Sequence, residues 1–258
     1  MRHLLSPKNR PLLDQFALSN VLVALDFDGT LAPIVPRPDD ARLRPRTRAL
    51  LVDVATRYPT AVVSGRARTD VRTRLAEVPL LEVIGNHGIE PAGHVERHLR
   101  EVHRWGVELT EALALLRGVV LEDKGYSIAI HYRRSRQKRK ALALIRAAAG
   151  LICPDARVIG GKQVVNLLPR DAPHKGLALE RLRDKAGCDT AIYLGDDLTD
   201  EDVFAIDQPG RLLSVRIGRS SRSHAPWYLR DQREIDAFLL RLLSIRRSWR
   251  QSHGHVRS

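Results

Sequence analysis

The stretch Val21-Leu22-Val23-Ala24-Leu25-Asp26-Phe27-Asp28-Gly29-Thr30 joins five consecutive apolar residues to two carboxylates. An apolar run of this length, without alternation, predicts a strand buried on both faces. Strands of that kind belong to parallel sheets covered by helices on either side. The two acids then stand at the carboxyl end of the strand, where open parallel sheets bind their ligands.

Three further runs repeat the pattern. Thr60-Ala61-Val62-Val63 stops at Ser64-Gly65-Arg66, and Leu81 to Ile84 stops at Gly85-Asn86-His87-Gly88. Ala191-Ile192-Tyr193-Leu194 stops at Gly195-Asp196-Asp197-Leu198-Thr199-Asp200-Glu201-Asp202. Helical spacing covers residues 46–57, 69–76 and 200–206. Strands alternating with helices imply a parallel sheet with right-handed crossovers. An α/β fold follows, with four sequence-distant motifs converging on one rim.

Between Pro91 and Ala172 the style changes. A helical stretch over 99–116 precedes an alternating segment, 126–133, with Ile128, Ile130 and Tyr132 on one face. That alternation predicts a half-buried strand. Residues 136–149 read as a helix, and Val158 to Leu168 as a hairpin around Gly160-Gly161-Lys162. The expected organisation is a core domain in two parts, 1–90 and 173–258, with an α+β domain inserted at 91–172. The polar residues 248–258 are expected to fray.

A chain of 258 residues can bury one good core plus a smaller second one. Cys153 and Cys188 form no disulfide framework and lack metal-ligand spacing. The N-terminal ten residues are polar and basic, and no run approaches the roughly 18–20 apolar residues of a membrane span. A cytoplasmic location and no membrane association are expected. The formal charge of +13, from 43 basic against 30 acidic side chains, suits nucleic acid, an anionic membrane surface or a small anionic substrate. Aromatics at 5% leave few platforms on which bases could stack, so nucleic acid is not expected as a partner. The densest basic run, Arg133 to Lys140, reads as a solvated helix face. A monomer acting on a small molecule is the expectation.

Within this basic chain, residues 196–202 hold five acids. Something must offset their repulsion, and a divalent cation such as Mg²⁺, which prefers oxygen ligands, is the simplest candidate. Asp26 at a strand end is placed to attack phosphorus. Asp28, two residues on, suits the protonation of a leaving oxygen and the later activation of water. Ser64 and Gly65 offer a hydroxyl and a backbone N–H to phosphate. Lys175, at an expected helix start in His174-Lys175-Gly176, offers a cation to the same group. Glu201 and Asp202 suit a helix's first turn, where the dipole favours acids. Asp196 and Asp197 precede that helix and are read as a metal ligand and its support, with Asp200 placed to orient a water on the metal.

Taken together, Asp26 to Ile34, Ser64-Gly65-Arg66, Asn86-His87-Gly88, Lys175-Gly176 and Gly195 to Phe204 resemble the haloacid dehalogenase superfamily. More narrowly, they resemble its trehalose-6-phosphate phosphatases, over about residues 20–242. The resemblance implies a Rossmann-like core with an inserted cap domain and Asp26 as nucleophile with Asp28 as acid and base. It further implies Mg²⁺ held by the Asp26 carboxylate, the Asp28 carbonyl and Asp196. Leu121 to Tyr126 and His131-Tyr132-Arg133 are similar to the family's sugar-contacting segment, which makes Glu122, Lys124 and Arg133 candidates for binding glucose.

Two departures stand out. Asn166 occupies a position where the family usually carries a sugar-binding Glu, and His174 precedes the lysine where an Asp is usual. The implied reaction is hydrolysis of trehalose 6-phosphate to trehalose and phosphate through an aspartyl-phosphate. Asn166 keeps open another glycosyl phosphate, of the glucosyl-glycerol or glucosyl-glycerate type, because an amide replaces a carboxylate acceptor. A nucleic-acid-binding or regulatory protein on an inactive phosphatase scaffold is the alternative from another class.

Overall fold

A computed structural model describes residues 1–91, 96–161, 163–206 and 208–253. It divides into two compact units, residues 1–88 with 174–258, and residues 89–173.

The first unit is built on a seven-stranded parallel sheet. In spatial order its strands are β1 (Arg2–His3), β11 (Trp227–Leu229), β10 (Leu212–Ile217), β9 (Thr190–Gly195), β2 (Val21–Leu25), β3 (Thr60–Val63) and β4 (Glu82–Ile84). All five residues of β2 are buried, which is why the run is uniformly apolar. Val21, Val23 and Leu25 pack with α1 (Arg10–Leu18), α2 (Pro45–Ala55), α3 (Arg68–Arg74) and α8 (Ile235–His253). Leu22 and Ala24 pack in a second cluster, with α6 (Lys175–Lys185) and α7 (Glu201–Phe204). Each fully buried aliphatic in these layers contributes about 1.5–3 kcal/mol.

Register decides where the chemistry lies. Leu25 pairs with Leu194 across β2 and β9, and with Val62 across β2 and β3. The Asp26 N–H donates to the Leu194 carbonyl at 2.8 Å, so Asp26 stands level with the end of β9. The order of strands reverses its progress across the sheet at β2, with β3 on one side and β9 on the other. This is the switch-point crevice where such sheets bind ligands.

The second unit has a four-stranded antiparallel sheet in the order β5 (Val120–Asp123), β6 (Ile128–His131), β8 (Val164–Leu168), β7 (Arg157–Gly161). Two helices, α4 (Glu96–Leu113) and α5 (Lys138–Ile152), cover one face. His98, Val102, Trp105, Leu109 and Leu113 recur on α4 at three- and four-residue spacing and form its buried stripe. Four of them, Val102, Trp105, Leu109 and Leu113, meet Ile128, Ile130, Val165 and Leu167 from the sheet.

The basic run Arg133 to Lys140, expected as a helix face, is helical only from Lys138, where α5 begins; Arg133, Arg134 and Arg136 lie in the turns before it. The structure departs from the sequence expectation in three further places. Strand β6 is not half-buried: Ser127 and Ala129 are as inaccessible as Ile128 and Ile130. Ala129 lies between Glu122 on β5 and Asn166 on β8, and these longer side chains shield a small one. The tail does not fray from residue 248, since α8 continues to His253; residues 254–258 lie outside the described residues, as does Lys162 of the expected hairpin turn. Strands β1, β10 and β11 complete one side of the large sheet and are not among the strands expected above.

Candidate active site

Asp26 follows β2 and is 5% exposed. Lys175, the first residue of α6, reaches it from the other part of the chain: its Nζ donates to Asp26 Oδ1 at 2.7 Å and to Asp200 Oδ1 at 2.8 Å. Asp200 also accepts the Tyr193 hydroxyl on Oδ1 at 2.7 Å, and the Asp197 N–H on Oδ2 at 2.9 Å. Carboxylate oxygens of Asp26, Asp196 and Asp200 all lie within 4.8 Å of one another. The two acidic motifs therefore meet.

Gly29 explains how closely. Its φ is +86°, and a Cβ there would lie 2.2 Å from Asp196 Oδ2. Any side chain at position 29 would clash with the Asp196 carboxylate and strain the backbone, so one or the other would have to shift. Asp197 is engaged within its own loop. Its Oδ1 accepts the Thr199 N–H at 2.8 Å and the Thr199 hydroxyl at 2.7 Å. That pair of bonds shapes the turn before α7.

The electrostatics follow from burial. Loss of water pushes the Asp26 carboxyl well above the usual carboxylate range; Lys175 pulls it down, while Asp200, Asp196 and Asp197 push it further up. Burial likewise raises Asp200 against the pull of Lys175. For Lys175 burial opposes the charge, but Asp200 and Asp26 outweigh it and hold the ammonium above the ordinary lysine range. Within this group Lys175 is the charged partner, and burial with a surplus of carboxylates is what raises Asp26. Asp197 behaves differently: despite its burial, Lys175 and the Thr199 hydrogen bond hold it below its usual value.

If all three ionise, the carboxylates of Asp26, Asp196 and Asp200 exceed the one ammonium by two charges, which a divalent cation would offset; without such an ion, burial works against ionising Asp26 and Asp200. The donors are hard oxygens, the set that suits such an ion. The residues present therefore fit a metal.

Asp28, beside the cluster in sequence, is held elsewhere. The Arg66 guanidinium forks both its oxygens, with Nε at 2.6 Å and Nη2 at 2.8 Å. Arg66 also binds Asp70 at 2.9 Å and the Pro38 carbonyl at 2.7 Å. Burial works against its charge, yet Asp28 and Asp70 keep it above its ordinary value. Ser64 is buried just past the end of β3, and its hydroxyl accepts the Arg66 N–H at 3.2 Å. The Ser64–Arg66 loop is stitched to the Asn86-His87-Gly88 turn by two backbone bonds, Asn86 N–H to the Arg66 carbonyl at 2.8 Å and His87 N–H to the Ser64 carbonyl at 3.0 Å. Asn86 and His87 both adopt positive φ, 47° and 58°, a conformation non-glycine residues hold only where their surroundings enforce it.

His174, the departure from the family pattern, caps α6. Its Nδ1 accepts the Leu177 N–H at 3.4 Å, the service an aspartate at that position would perform. In the second unit Glu122, Ala129 and Asn166 are in register on the sheet face opposite α4 and α5. Glu122 bonds His131 Nε2 at 2.8 Å, and Asn166 is 7% exposed. Lys124 follows β5 in a turn closed by its N–H to the Ser127 carbonyl, and Arg133 is exposed just beyond β6.

Of the expected core residues, Asp26, Lys175, Asp196 and Asp200 form one cluster, with Asp197 braced beside them. Sequence reasoning misses Tyr193, Arg66 and Arg216 as site residues. Tyr193 has the signature of any core aromatic, Arg66 stands in its motif with nothing to name its partner, and Arg216 merges into a general basic excess. Glu201 reads in sequence only as a helix-dipole acid; it also pairs with Arg216 at 3.0 Å.

A parallel sheet whose central strand ends in Asp-x-Asp-Gly-Thr, met by a helix-start lysine and an Asp-Asp loop, defines a phosphatase scaffold of the haloacid dehalogenase type. Comparison with known proteins narrows this. The trehalose-phosphatase family profile matches residues 24–232, and the chain belongs to that family. It is similar to "Probable trehalose-phosphate phosphatase D" of Arabidopsis thaliana, 30% identical over 90% of this chain and 68% of that protein. A trehalose-phosphate phosphatase of Mycobacterium avium is 37% identical over 79% of this chain and 56% of its own. Among solved structures, the C-terminal domain of the Candida albicans trehalose-6-phosphate phosphatase shares the fold, with a TM-score of 0.75 and 22% identity over 92% of this chain and 97% of that one. Among the described residues no helix is long and apolar enough to cross a membrane.

Proposed function

We propose that the protein hydrolyses trehalose 6-phosphate to trehalose and inorganic phosphate, using Mg²⁺ and a covalent aspartyl-phosphate. The observation that carries the reading is the buried group of Asp26, Asp196 and Asp200 around a single lysine, in a chain of the trehalose-phosphatase family.

In this reading Asp26 attacks phosphorus, and the bond from phosphorus to the sugar oxygen breaks as Asp28 supplies that oxygen with a proton. Water, deprotonated by Asp28, then attacks the phosphoryl group and releases phosphate, regenerating Asp26. Lys175 holds Asp26 in place and offsets the charge that accumulates on the phosphoryl oxygens. Ser64 and Gly65 bind those oxygens. Asp28 must leave the Arg66 fork to act, and the negative phosphoryl oxygens are natural competitors for that guanidinium. The ion would be held by the carboxylates of Asp26 and Asp196 and the Asp28 carbonyl, with Asp197 and Asp200 arranged around them. When bound, Mg²⁺ neutralises charge on the transferring group.

Glu122, Lys124, Arg133 and Asn166 are assigned to sugar recognition. A second reading, a different glycosyl phosphate handled by the same chemistry, is favoured by Asn166. Phosphate release from trehalose 6-phosphate, glucosyl-glycerol phosphate and glucosyl-glycerate phosphate, with and without Mg²⁺, separates the two. A clear Mg²⁺-dependent preference for the trehalose ester is expected; equal rates across the panel would discard it.

A further inference from the structure

The loop that carries the metal-side acids is braced by a strand to which it does not belong. Arg216 stands on β10 in register with Gly195, the last residue before the loop. Its Nη2 donates to the Asp196 carbonyl at 2.5 Å, and its Nη1 donates to a Glu201 oxygen at 3.0 Å and lies 3.3 Å from the Asp197 carbonyl. The other Glu201 oxygen accepts the His224 N–H at 2.9 Å. The Arg216 and Glu201 side chains are only 17% and 19% exposed, so the grip is sheltered from water.

Several further ties of the loop are internal, and two lead to Lys175 and Tyr193. Asp197 is engaged by Thr199, and Asp200 by Lys175, Tyr193 and the Asp197 N–H. Those bonds fix the far end of the loop. Arg216 fixes the near end, at the peptide groups that flank the Asp196 and Asp197 side chains.

We propose that Arg216 is a positioning residue for the divalent cation: by holding the carbonyls of Asp196 and Asp197 it sets where the Asp196 carboxylate meets Asp26, and thereby the affinity for the ion. The inference deepens the proposed function and rests on Asp26 and Asp196 forming the Mg²⁺ site. Groups that orient metal ligands typically govern affinity by about 10–100-fold.

The sign of the effect makes the idea testable. A guanidinium near a metal site repels the ion through its charge, so if charge were its whole contribution, removing it would tighten binding. If it organises the loop, removing it must loosen binding. Calorimetric titration of Mg²⁺ into the full chain, freed of metal, reads the difference directly in the parent, R216Q, R216K and D196N. R216Q is expected to weaken Mg²⁺ binding about tenfold or more. R216K should fall between, because one ammonium can hold one carbonyl but not the whole set. R216Q binding Mg²⁺ as tightly as the parent, or more tightly, overturns the inference. If R216Q fails to fold, unchanged or tighter binding by R216K overturns it instead. A parent that binds no Mg²⁺, or a D196N protein that binds like the parent, defeats the metal site itself and this inference with it.

Discussion

The two polar surfaces of this protein are built on opposite principles. In the first unit Asp26, Lys175, Asp200 and Tyr193 are almost wholly buried and joined through Lys175 and Asp200 by bonds of 2.7–2.8 Å. In the second, the Glu122 side chain is 49% exposed, its partner His131 is 32% exposed, and Arg133 is open to solvent. A buried charge cannot lose its partner cheaply, whereas an exposed one is screened by water. Chemistry and recognition should therefore fail in different ways when mutated.

The sharpest break should come from Asp26→Asn. It removes the nucleophile with almost no change in volume, and phosphate release should fall by about 10⁴-fold or more. Activity within tenfold of the parent would exclude the covalent route. Next is Lys175→Ala, which leaves Asp26 and Asp200 buried without their cation. Stability should drop by about 3–5 kcal/mol in urea denaturation, with much of it regained on adding Mg²⁺. A loss under about 1 kcal/mol would mean that water replaces the ammonium, contrary to the burial seen here.

Glu122→Ala tests the other side. It should raise KM for the sugar phosphate by about tenfold while sparing turnover of p-nitrophenyl phosphate and leaving the melting temperature nearly unchanged. Equal losses on both substrates would refute the separation of recognition from chemistry.

The smallest effect concerns pH. Burial raises Asp26 above its reference value of 3.8, so in the metal-free protein this carboxyl holds its proton more tightly folded than unfolded. The stability linked to this group is full below that reference value and is lost as pH rises through the folded one. Mg²⁺ competes with that proton. The gain in melting temperature on adding Mg²⁺ should therefore grow from acid towards neutral pH. A gain that shrinks in that direction would place the ion elsewhere.

Legibility in the sequence depends on how a residue's role is encoded. Strands β2, β3 and β9 announce themselves because burial on both faces demands an unbroken apolar run. Strand β10 does not, since Ser214 and Arg216 interrupt Leu212-Leu213-Ser214-Val215-Arg216-Ile217. Arg216, one of the two interruptions, is the brace on the acidic loop. The edge strands β1 and β11, of two and three residues, are too short to carry a pattern. Arg66 is visible in its motif, but its fork on Asp28 spans 38 residues of sequence and leaves no periodic trace. His174, by contrast, looks like a defect in sequence and is a working helix cap in the structure.

Residue order alone determines the alternation of buried strands and helices and the acids at the strand ends. Those features are local, being set by which side chains tolerate water and which turns admit glycine. The fold had to decide which acid faces which cation, because electrostatic partnership depends on distances of a few ångströms between segments remote along the chain. Only the register of β2 against β9 and the reach of Lys175 turn a scatter of aspartates into a site with more carboxylates than cations.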